Sequence, residues 1–354
     1  MEQSEGTRRR LLQHYQQYPK LQIQDIFKFL HQSSFGCEHF VSALQTATDS
    51  IGREYETIPH RSQPVVEPLD GEYSRVHLSY LNTGLTAETL GKLFCFSAKQ
   101  KPDGYASLIE KLSAATELIG ENLLPFEADT FQKAVKDWEA SGFPPVHHSD
   151  IFKKTYAPAY RIIANQYLPF LPLLAQLDKQ LEKGAVKLAI EGGSASGKTT
   201  LSKLLSHIYD CAVFHMDDFF LRPEQRTPAR YRETGGNIDR ERFLDEVLRP
   251  LAKEEAITYR KFDCSSMTIN SQTTITPKKL NIIEGVYSMH PAFSKYYNQS
   301  VFLDISPEVQ RKRIHNRNAP QLAERFFQEW IPLENRYFSE TEAKERCNLC
   351  IPIR

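Results

Sequence analysis

The sequence has no apolar run long enough to cross a membrane and no excess of charge of either sign. Lysine and arginine together number 44, as do aspartate and glutamate. Overall charge therefore gives no argument for a nucleic-acid partner or an anionic membrane surface. No apolar segment follows the basic N-terminal stretch, which argues against a secretory signal. We expect a cytoplasmic protein that binds neither nucleic acid nor membrane.

Cysteine is also scarce, with six residues scattered through a chain of 354. This usage is typical of the cytosol rather than of a disulfide framework. Cys347 and Cys350 form a C-x-x-C pair, which leaves open a metal or redox role or a pair of free thiols. No second pair or histidine cluster accompanies them, so free thiols are the favoured interpretation.

One stretch carries most of the functional information. Gly192, Gly197, Lys198 and Thr199 have the G-x-x-x-x-G-K-[ST] spacing of a phosphate-binding P-loop, or Walker A motif. An apolar run precedes the motif and a helical pattern follows it, which is the required context. Glycines allow backbone N–H groups to surround phosphate oxygens, and the helix N-terminus adds partial positive charge.

We therefore predict that this chain binds ATP and Mg²⁺. Lys198 would reach the β- and γ-phosphates, and the Thr199 hydroxyl would ligate the metal. The predicted nucleotide-binding residues are Gly192, Gly193, Ser194, Ala195, Ser196, Gly197, Lys198, Thr199 and Thr200.

The chain divides into two halves with different predicted secondary structure. Residues 1–180 carry mainly helical patterns, including 86–100, 105–119, 128–140 and 162–183. Prolines indicate a loop over 59–71, and 75–81 could be a strand or an extended link. Residues 181–354 alternate helices with strand-like runs at 186–190, 212–215, 280–283 and 300–305. We expect a mostly α-helical domain followed by an α/β domain with a parallel sheet and helices on both faces.

Carboxylates follow two of the predicted strands. Asp217 and Asp218 follow the strand 211–215, and Glu284 follows the strand 280–283. Ligands gather at the carboxyl ends of strands in open α/β sheets, so all three are candidate site residues. Asp217 and Asp218 could instead cap a helix or a turn, and Glu284 could be an ordinary strand-end acid.

Two arginines in the region 302–317 are candidate phosphate-binding residues. Arg313 and Arg317 lie four residues apart on one helix face, so both could reach the phosphates, whereas Arg311 should point elsewhere. A solvated basic face is the alternative.

Four segments together resemble the uridine kinase and nicotinamide riboside kinase group of P-loop kinases, over roughly residues 185–340. They are Gly192–Thr200, Met216-Asp-Asp-Phe-Phe220, Asn237-Ile-Asp239 and Ile283-Glu-Gly-Val286.

The resemblance implies roles for individual residues. Asp217 matches the base that acts on the acceptor hydroxyl, and Asp239 matches a residue that binds sugar hydroxyls. Glu284 matches the metal and substrate acid, and Arg313 and Arg317 match the lid arginines. Asp218 falls at a less uniform position of the family. Trp330 and Tyr337 are similar to a short region after the lid, and we interpret them mainly as packing residues.

The segment 222–237 departs from that family. It carries Arg222, Arg226, Arg230 and Arg232, which would suit an acidic or phosphorylated acceptor better than a neutral nucleoside. Arg232 is accordingly a candidate substrate ligand. A mobile surface loop is the open alternative.

The first half resembles no family known to us, and its densest polar cluster lies at 147–161. His147 and His148, with Tyr160 and Arg161, could line a second ligand site together with Glu38 and His39. The favoured interpretation is that they are semi-buried packing residues, with Ser149 and Asp150 starting a helix.

The combined prediction is an ATP-dependent kinase, a transferase that phosphorylates a hydroxyl of a small nucleoside- or sugar-like acceptor. Two alternatives remain: a bifunctional enzyme with a second activity in residues 1–180, and an ATP-dependent switch without a metabolite acceptor. A homo-oligomer is left open.

Overall fold

The computed structural model describes residues 2–37, 43–58, 63–100 and 103–354. The chain forms two compact units, Met1–Asp178 and Lys179–Arg354. Glu38, His39 and the start of the predicted loop at Pro59 lie outside the described residues. None of the described helices combines the length and apolar character that a membrane span requires.

The first unit is mostly helical, and a small sheet lies among its helices. The helices are α1 (Glu2–Gln17), α2 (Ile23–Phe35), α3 (Leu44–Tyr55), α4 (Ala87–Ala98), α5 (Tyr105–Gly120), α6 (Ala128–Ala140) and α7 (Asp150–Tyr156). The strands are β1 (Val66–Pro68), β2 (Tyr73–His77) and β3 (Tyr160–Ala164), which pair antiparallel in the order β1-β2-β3.

This sheet corrects two expectations. The predicted loop over 59–71 contains β1, and the helix expected over 162–183 is β3, a 3₁₀ segment and then α8 (Leu171–Lys183). Ile162 and Ile163 are β-branched and pair with Arg75 and Ser74 of β2. Sheet pairing therefore outweighs the helical pattern, and the α-helix begins only at Leu171, with a proline in its first turn.

The second unit is built on a five-stranded parallel sheet. Its strands are β4 (Val186–Gly192), β5 (Cys211–His215), β8 (Leu280–Glu284), β9 (Gln299–Ile305) and β10 (Leu349–Ile353), in the order β10-β9-β4-β8-β5. A separate antiparallel hairpin consists of β6 (Ile257–Asp263) and β7 (Thr268–Ile275). The helices are α9 (Lys198–Ile208), α10 (Pro228–Arg232), α11 (Arg240–Phe243), α12 (Arg249–Ala252), α13 (Pro307–Arg317), α14 (Pro320–Arg325) and α15 (Ile331–Thr341).

The sheet carries the core of this unit. Every residue of β8 is buried, as expected for a parallel strand covered on both faces. Phe214, Ile283 and Phe302, from three of the strands, belong to one buried apolar cluster that also contains Tyr337 of α15. The parallel order brings the carboxyl ends of β4, β5 and β8 to one edge of the sheet, where the predicted site residues follow.

Candidate active site

The P-loop joins the end of β4 to the start of α9. Gly192 has φ +145°, and a Cβ atom there would lie 2.6 Å from the carbonyl oxygen of Leu303 on β9. Gly197 has φ +100° and precedes α9, but a Cβ atom there would meet only open space. The first glycine is therefore required by both packing and conformation, and the second by conformation alone.

Lys198 arches back over this loop. Its side chain is buried, and Nζ donates hydrogen bonds to the carbonyl oxygens of Gly192 at 2.8 Å and Gly193 at 3.0 Å. The ammonium group is thus held over the glycine-rich turn, where a P-loop lysine meets phosphate.

Thr199 and Glu284 are hydrogen-bonded to each other beside the P-loop. The Thr199 hydroxyl donates to Glu284 Oε1 at 3.2 Å, and Glu284 pairs in register with Ile190 of β4 and His215 of β5. His215 Nδ1 lies 2.6 Å from the same oxygen, and this hydrogen bond is the main reason that the pKa of His215 is raised. A hydroxyl beside a carboxylate is an oxygen donor set that fits Mg²⁺ together with phosphate oxygens and water.

Asp217 lies in the 3₁₀ turn Met216–Phe219 directly after β5. Its side chain is exposed, although protein atoms crowd the carboxyl group. This crowding is the largest cause that raises the pKa of Asp217, and the charge of Glu284 adds to it while Lys198 opposes it. The structure therefore brings Asp217, Lys198 and Glu284 into one electrostatically coupled cluster.

The other two predicted acceptor ligands have protein partners. Asp218 accepts a hydrogen bond from Tyr259 Oη at 3.0 Å, and Lys261 Nζ lies 3.7 Å away. Asp239 is buried and caps α11 by accepting from the backbone N–H of Arg242 at 3.2 Å. It also accepts from Gln225 Nε2 at 3.0 Å. Both contacts tie the segment between β5 and α11 in place.

The two predicted lid arginines differ in their surroundings. Arg313 Nη1 donates to the P-loop carbonyl of Ala195 at 3.2 Å, and the neighbouring Gln310 donates to Ser194 O at 2.9 Å. Arg317 is exposed, and its guanidinium lies 5.8 Å from the Phe326 ring centroid. Helix α13 therefore contacts the P-loop through Arg313, whereas Arg317 lies against the Phe326 ring.

Two arginines of the arginine-rich segment 222–237 have protein partners. Arg230 pairs with Glu241 at 2.7 Å and donates to the carbonyl oxygens of Gly236 and Ile238. Arg226 donates to Leu221 O at 3.0 Å.

The remaining two arginines differ from each other in their surroundings. Arg222 hydrogen-bonds Gln225 within its own turn. Arg232 is exposed. The side chains of Arg222, Arg226 and Arg230 thus hold the segment together, because a flexible polar stretch needs internal partners to keep one conformation.

Sequence reasoning missed two carboxylates that hold the P-loop. Glu334 on α15 is buried and accepts from Ser194 N at 2.9 Å and Ser194 Oγ at 2.5 Å. Glu191, fully buried, accepts from Gly192 N at 2.9 Å, Met289 N at 2.9 Å and Tyr337 Oη at 3.0 Å. Burial raises the pKa of Glu191 to about 7.

Of the cysteine pair, Cys347 precedes β10 and Cys350 lies within it. All six cysteines are free thiols. Across the described ranges, no group of three or more histidine, cysteine or acidic residues could hold a metal ion.

Comparisons with known proteins concern the second half of the chain. No protein-family model and no curated protein matches the chain. Among solved structures, a possible uridine kinase from Bacillus stearothermophilus is 22% identical with a TM-score of 0.39, over 51% of this chain and 98% of that one. Shikimate kinase from Bacteroides thetaiotaomicron is 14% identical with a TM-score of 0.27, over 48% and 86%. Deoxyadenosine kinase from M. mycoides is 14% identical with a TM-score of 0.22, over 47% and 90%.

The class of the second unit follows from its own architecture. A five-stranded parallel sheet, flanking helices and a P-loop between its central strand and the next helix define an α/β P-loop kinase fold. A mostly α-helical unit precedes it.

Proposed function

We propose that the second unit is an ATP-dependent phosphotransferase that moves the γ-phosphoryl group to a hydroxyl of a small nucleoside- or sugar-like molecule. The observation that carries this proposal is the coupled cluster of Asp217, Lys198 and Glu284 beside the P-loop. Binding ATP needs the lysine and the metal-side carboxylate, but it does not need a further carboxylate beside them. Asp217 is that additional group, and an acceptor hydroxyl is the partner that it suits.

In this mechanism, Asp217 accepts the proton of the acceptor hydroxyl as the oxygen attacks the γ-phosphorus in line. The bond from the γ-phosphorus to the β–γ bridging oxygen breaks, and ADP leaves. The raised pKa of Asp217 makes the carboxylate a better proton acceptor. Lys198 and Arg313 stabilise the charge that develops on the phosphoryl oxygens. Thr199 and Glu284 would hold Mg²⁺, which supplies positive charge to the triphosphate. The P-loop amides orient the phosphates.

The test is ADP release by the full chain with Mg²⁺-ATP over a panel of nucleosides, nicotinamide riboside, pantothenate and phosphorylated sugars. One acceptor should stimulate release, and Asp217→Asn should lower kcat by about 10²- to 10⁴-fold with little change in the KM for ATP. Lys198→Ala should abolish activity.

Asp218→Asn is the matched control, because it makes the same change at a neighbouring carboxylate that Tyr259 and Lys261 engage. It should reduce kcat far less than Asp217→Asn. An equal loss in both variants would remove the assigned role of Asp217. ATP binding without stimulation by any acceptor would favour the nucleotide-dependent switch.

A further inference from the structure

The first unit contains a cavity of 420 Å³ that no step of the proposed phosphotransfer uses. It lies between α2, α3, β3 and the segment 145–148, and this size falls in the range of small-molecule pockets. Its polar lining includes Lys28, Gln32, Glu54, His148, Tyr160 and Arg161.

Behind one wall of this cavity, Asp25 is held as an ionised acceptor. It accepts hydrogen bonds from Ser149 N at 3.0 Å, Ser149 Oγ at 2.7 Å and Gln22 N at 2.9 Å. Burial would raise the pKa of Asp25, but these bonds and one from His148 together hold it below its ordinary value. A carboxylate in this state can only accept hydrogen bonds.

The state of Asp25 determines the tautomer of His148. His148 Nδ1 lies 2.9 Å from Asp25 Oδ1, so Nδ1 must carry a proton. Burial lowers the pKa of His148 to about 4, which leaves the ring neutral and Nε2 without a proton. Nε2 lies 2.7 Å from Tyr160 Oη, so the Tyr160 hydroxyl donates to His148.

The Tyr160 oxygen is therefore available to the cavity as an acceptor. Its one proton is donated to His148, and Gln32 Nε2 donates to the same oxygen at 3.3 Å, which leaves the second lone pair of the hydroxyl for a ligand. Gln32 is in turn fixed because its Oε1 accepts from the fully buried Arg75 at 2.8 and 3.0 Å. This rigid chain presents a hydrogen-bond acceptor that suits a ligand hydroxyl.

The charges of the lining favour an anion. Among the described lining side chains, Lys28 and Arg161 are cationic and Glu54 is anionic. The Arg161 guanidinium is paired with the Glu54 carboxylate, to which its Nη2 and Nη1 donate at 2.6 and 2.9 Å. Lys28 Nζ donates to the carbonyl oxygen of Val146 at 3.1 Å, and burial lowers the pKa of Lys28 to about 8. A partly desolvated ammonium with a neutral partner gains most from a bound anion.

We propose that this cavity is a second ligand site, built for a small organic anion that also carries a hydroxyl group. Lys28 binds the anionic group, and Tyr160, oriented by His148 and Asp25, accepts a hydrogen bond from the ligand hydroxyl. Hydroxy acids and sugar phosphates share this chemistry. The site would give the first unit a ligand of its own, independent of the phosphotransfer site.

The experiment is calorimetric binding to the full chain carrying Lys198→Ala, so that phosphate binding at the P-loop is weakened. The probes are glycerate and glycerol 3-phosphate as the two hydroxylated anions, propionate as an anion without hydroxyls, and glycerol as the neutral molecule. Both hydroxylated anions should bind more tightly than propionate and glycerol. The tighter of the two identifies the preferred anionic group.

Two variants assign this binding to the cavity. Lys28→Met should weaken glycerate binding about tenfold or more, because it removes a charge-assisted contact. Lys133→Met, at an exposed lysine of α6 that does not line the cavity, is the matched control and should leave binding unchanged. Tyr160→Phe should reduce the preference for glycerate over propionate about fivefold while propionate binding stays constant.

Three outcomes would overturn the proposal. One is the absence of binding by both hydroxylated anions. Another is glycerate affinity that survives Lys28→Met in a variant that still unfolds cooperatively. The third is a preference over propionate that Tyr160→Phe does not alter.

Discussion

Glu191 gives the second unit a pH-dependent stability that can be tested through one hydroxyl group. Tyr337→Phe removes the donor that lies 3.0 Å from Glu191 Oε2 and keeps the ring that packs 4.8 Å from Tyr287. A hydrogen bond to a buried charged group contributes about 1.5–3 kcal/mol, so we expect a loss of about 2 kcal/mol when Glu191 is ionised. A protonated Glu191 is a weaker acceptor, and the loss should then be about 1 kcal/mol.

The pH dependence has a definite sign. The pKa of Glu191 rises from its ordinary value of 4.5 to about 7 on folding, so the folded protein binds this proton more tightly than the unfolded chain. The stabilisation from protonation, about 3 kcal/mol, is present below pH 4.5 and is lost as the pH rises through about 7. Tyr337→Phe removes a donor that favours the ionised form. It should therefore destabilise the protein more above pH 7 than below it.

The assay is urea unfolding at about pH 5 and about pH 9. The chain has two tryptophans, of which Trp330 lies in the second unit. In a Trp138→Phe background, tryptophan fluorescence therefore follows the unfolding of that unit. Tyr297→Phe is the matched control, because the Tyr297 hydroxyl is buried without a hydrogen-bond partner among the described residues. A Tyr337→Phe loss that is equal at both pH values, or matched by Tyr297→Phe, would refute this reasoning.

Three further predictions concern the P-loop glycines, Glu334 and His148. Gly192→Ala should cost about 3 kcal/mol or more and abolish the thermal shift by ATP, because its Cβ would meet backbone. Gly197→Ala should cost only about 1–2 kcal/mol. Glu334→Gln should tighten ATP binding several-fold in calorimetry, because it removes a negative charge beside the P-loop but keeps an acceptor for Ser194. The first unit should lose about 3 kcal/mol as the pH falls from 6.5 to about 4, and His148→Gln should flatten that loss in tryptophan-monitored unfolding.

Local patterns predicted the strands of the parallel sheet except one. The four predicted strands are apolar runs with turn or helix signals on both sides, so composition alone identifies them. Leu349–Ile353 was missed because it contains Pro352, which an edge strand tolerates. This strand is defined by its pairing with β9, in which Leu349 lies opposite Val301. The local sequence pattern gives no information about such a long-range contact. The first unit's β3 was misassigned for the same reason.

The candidate site was likewise predictable only where its residues are close together in sequence. The P-loop is predictable because its chemistry is contained in nine consecutive residues, Gly192–Thr200. Glu334 and Tyr337 lie about 140 residues away in sequence, on a helix whose acidic and aromatic residues are ordinary for an amphipathic surface. They stand three apart and so share one helix face. Through that face, α15 binds the loop directly at Ser194 and indirectly through Glu191. The geometry of the P-loop therefore depends on α15, and substitutions on this helix that never touch the nucleotide should still change ATP affinity.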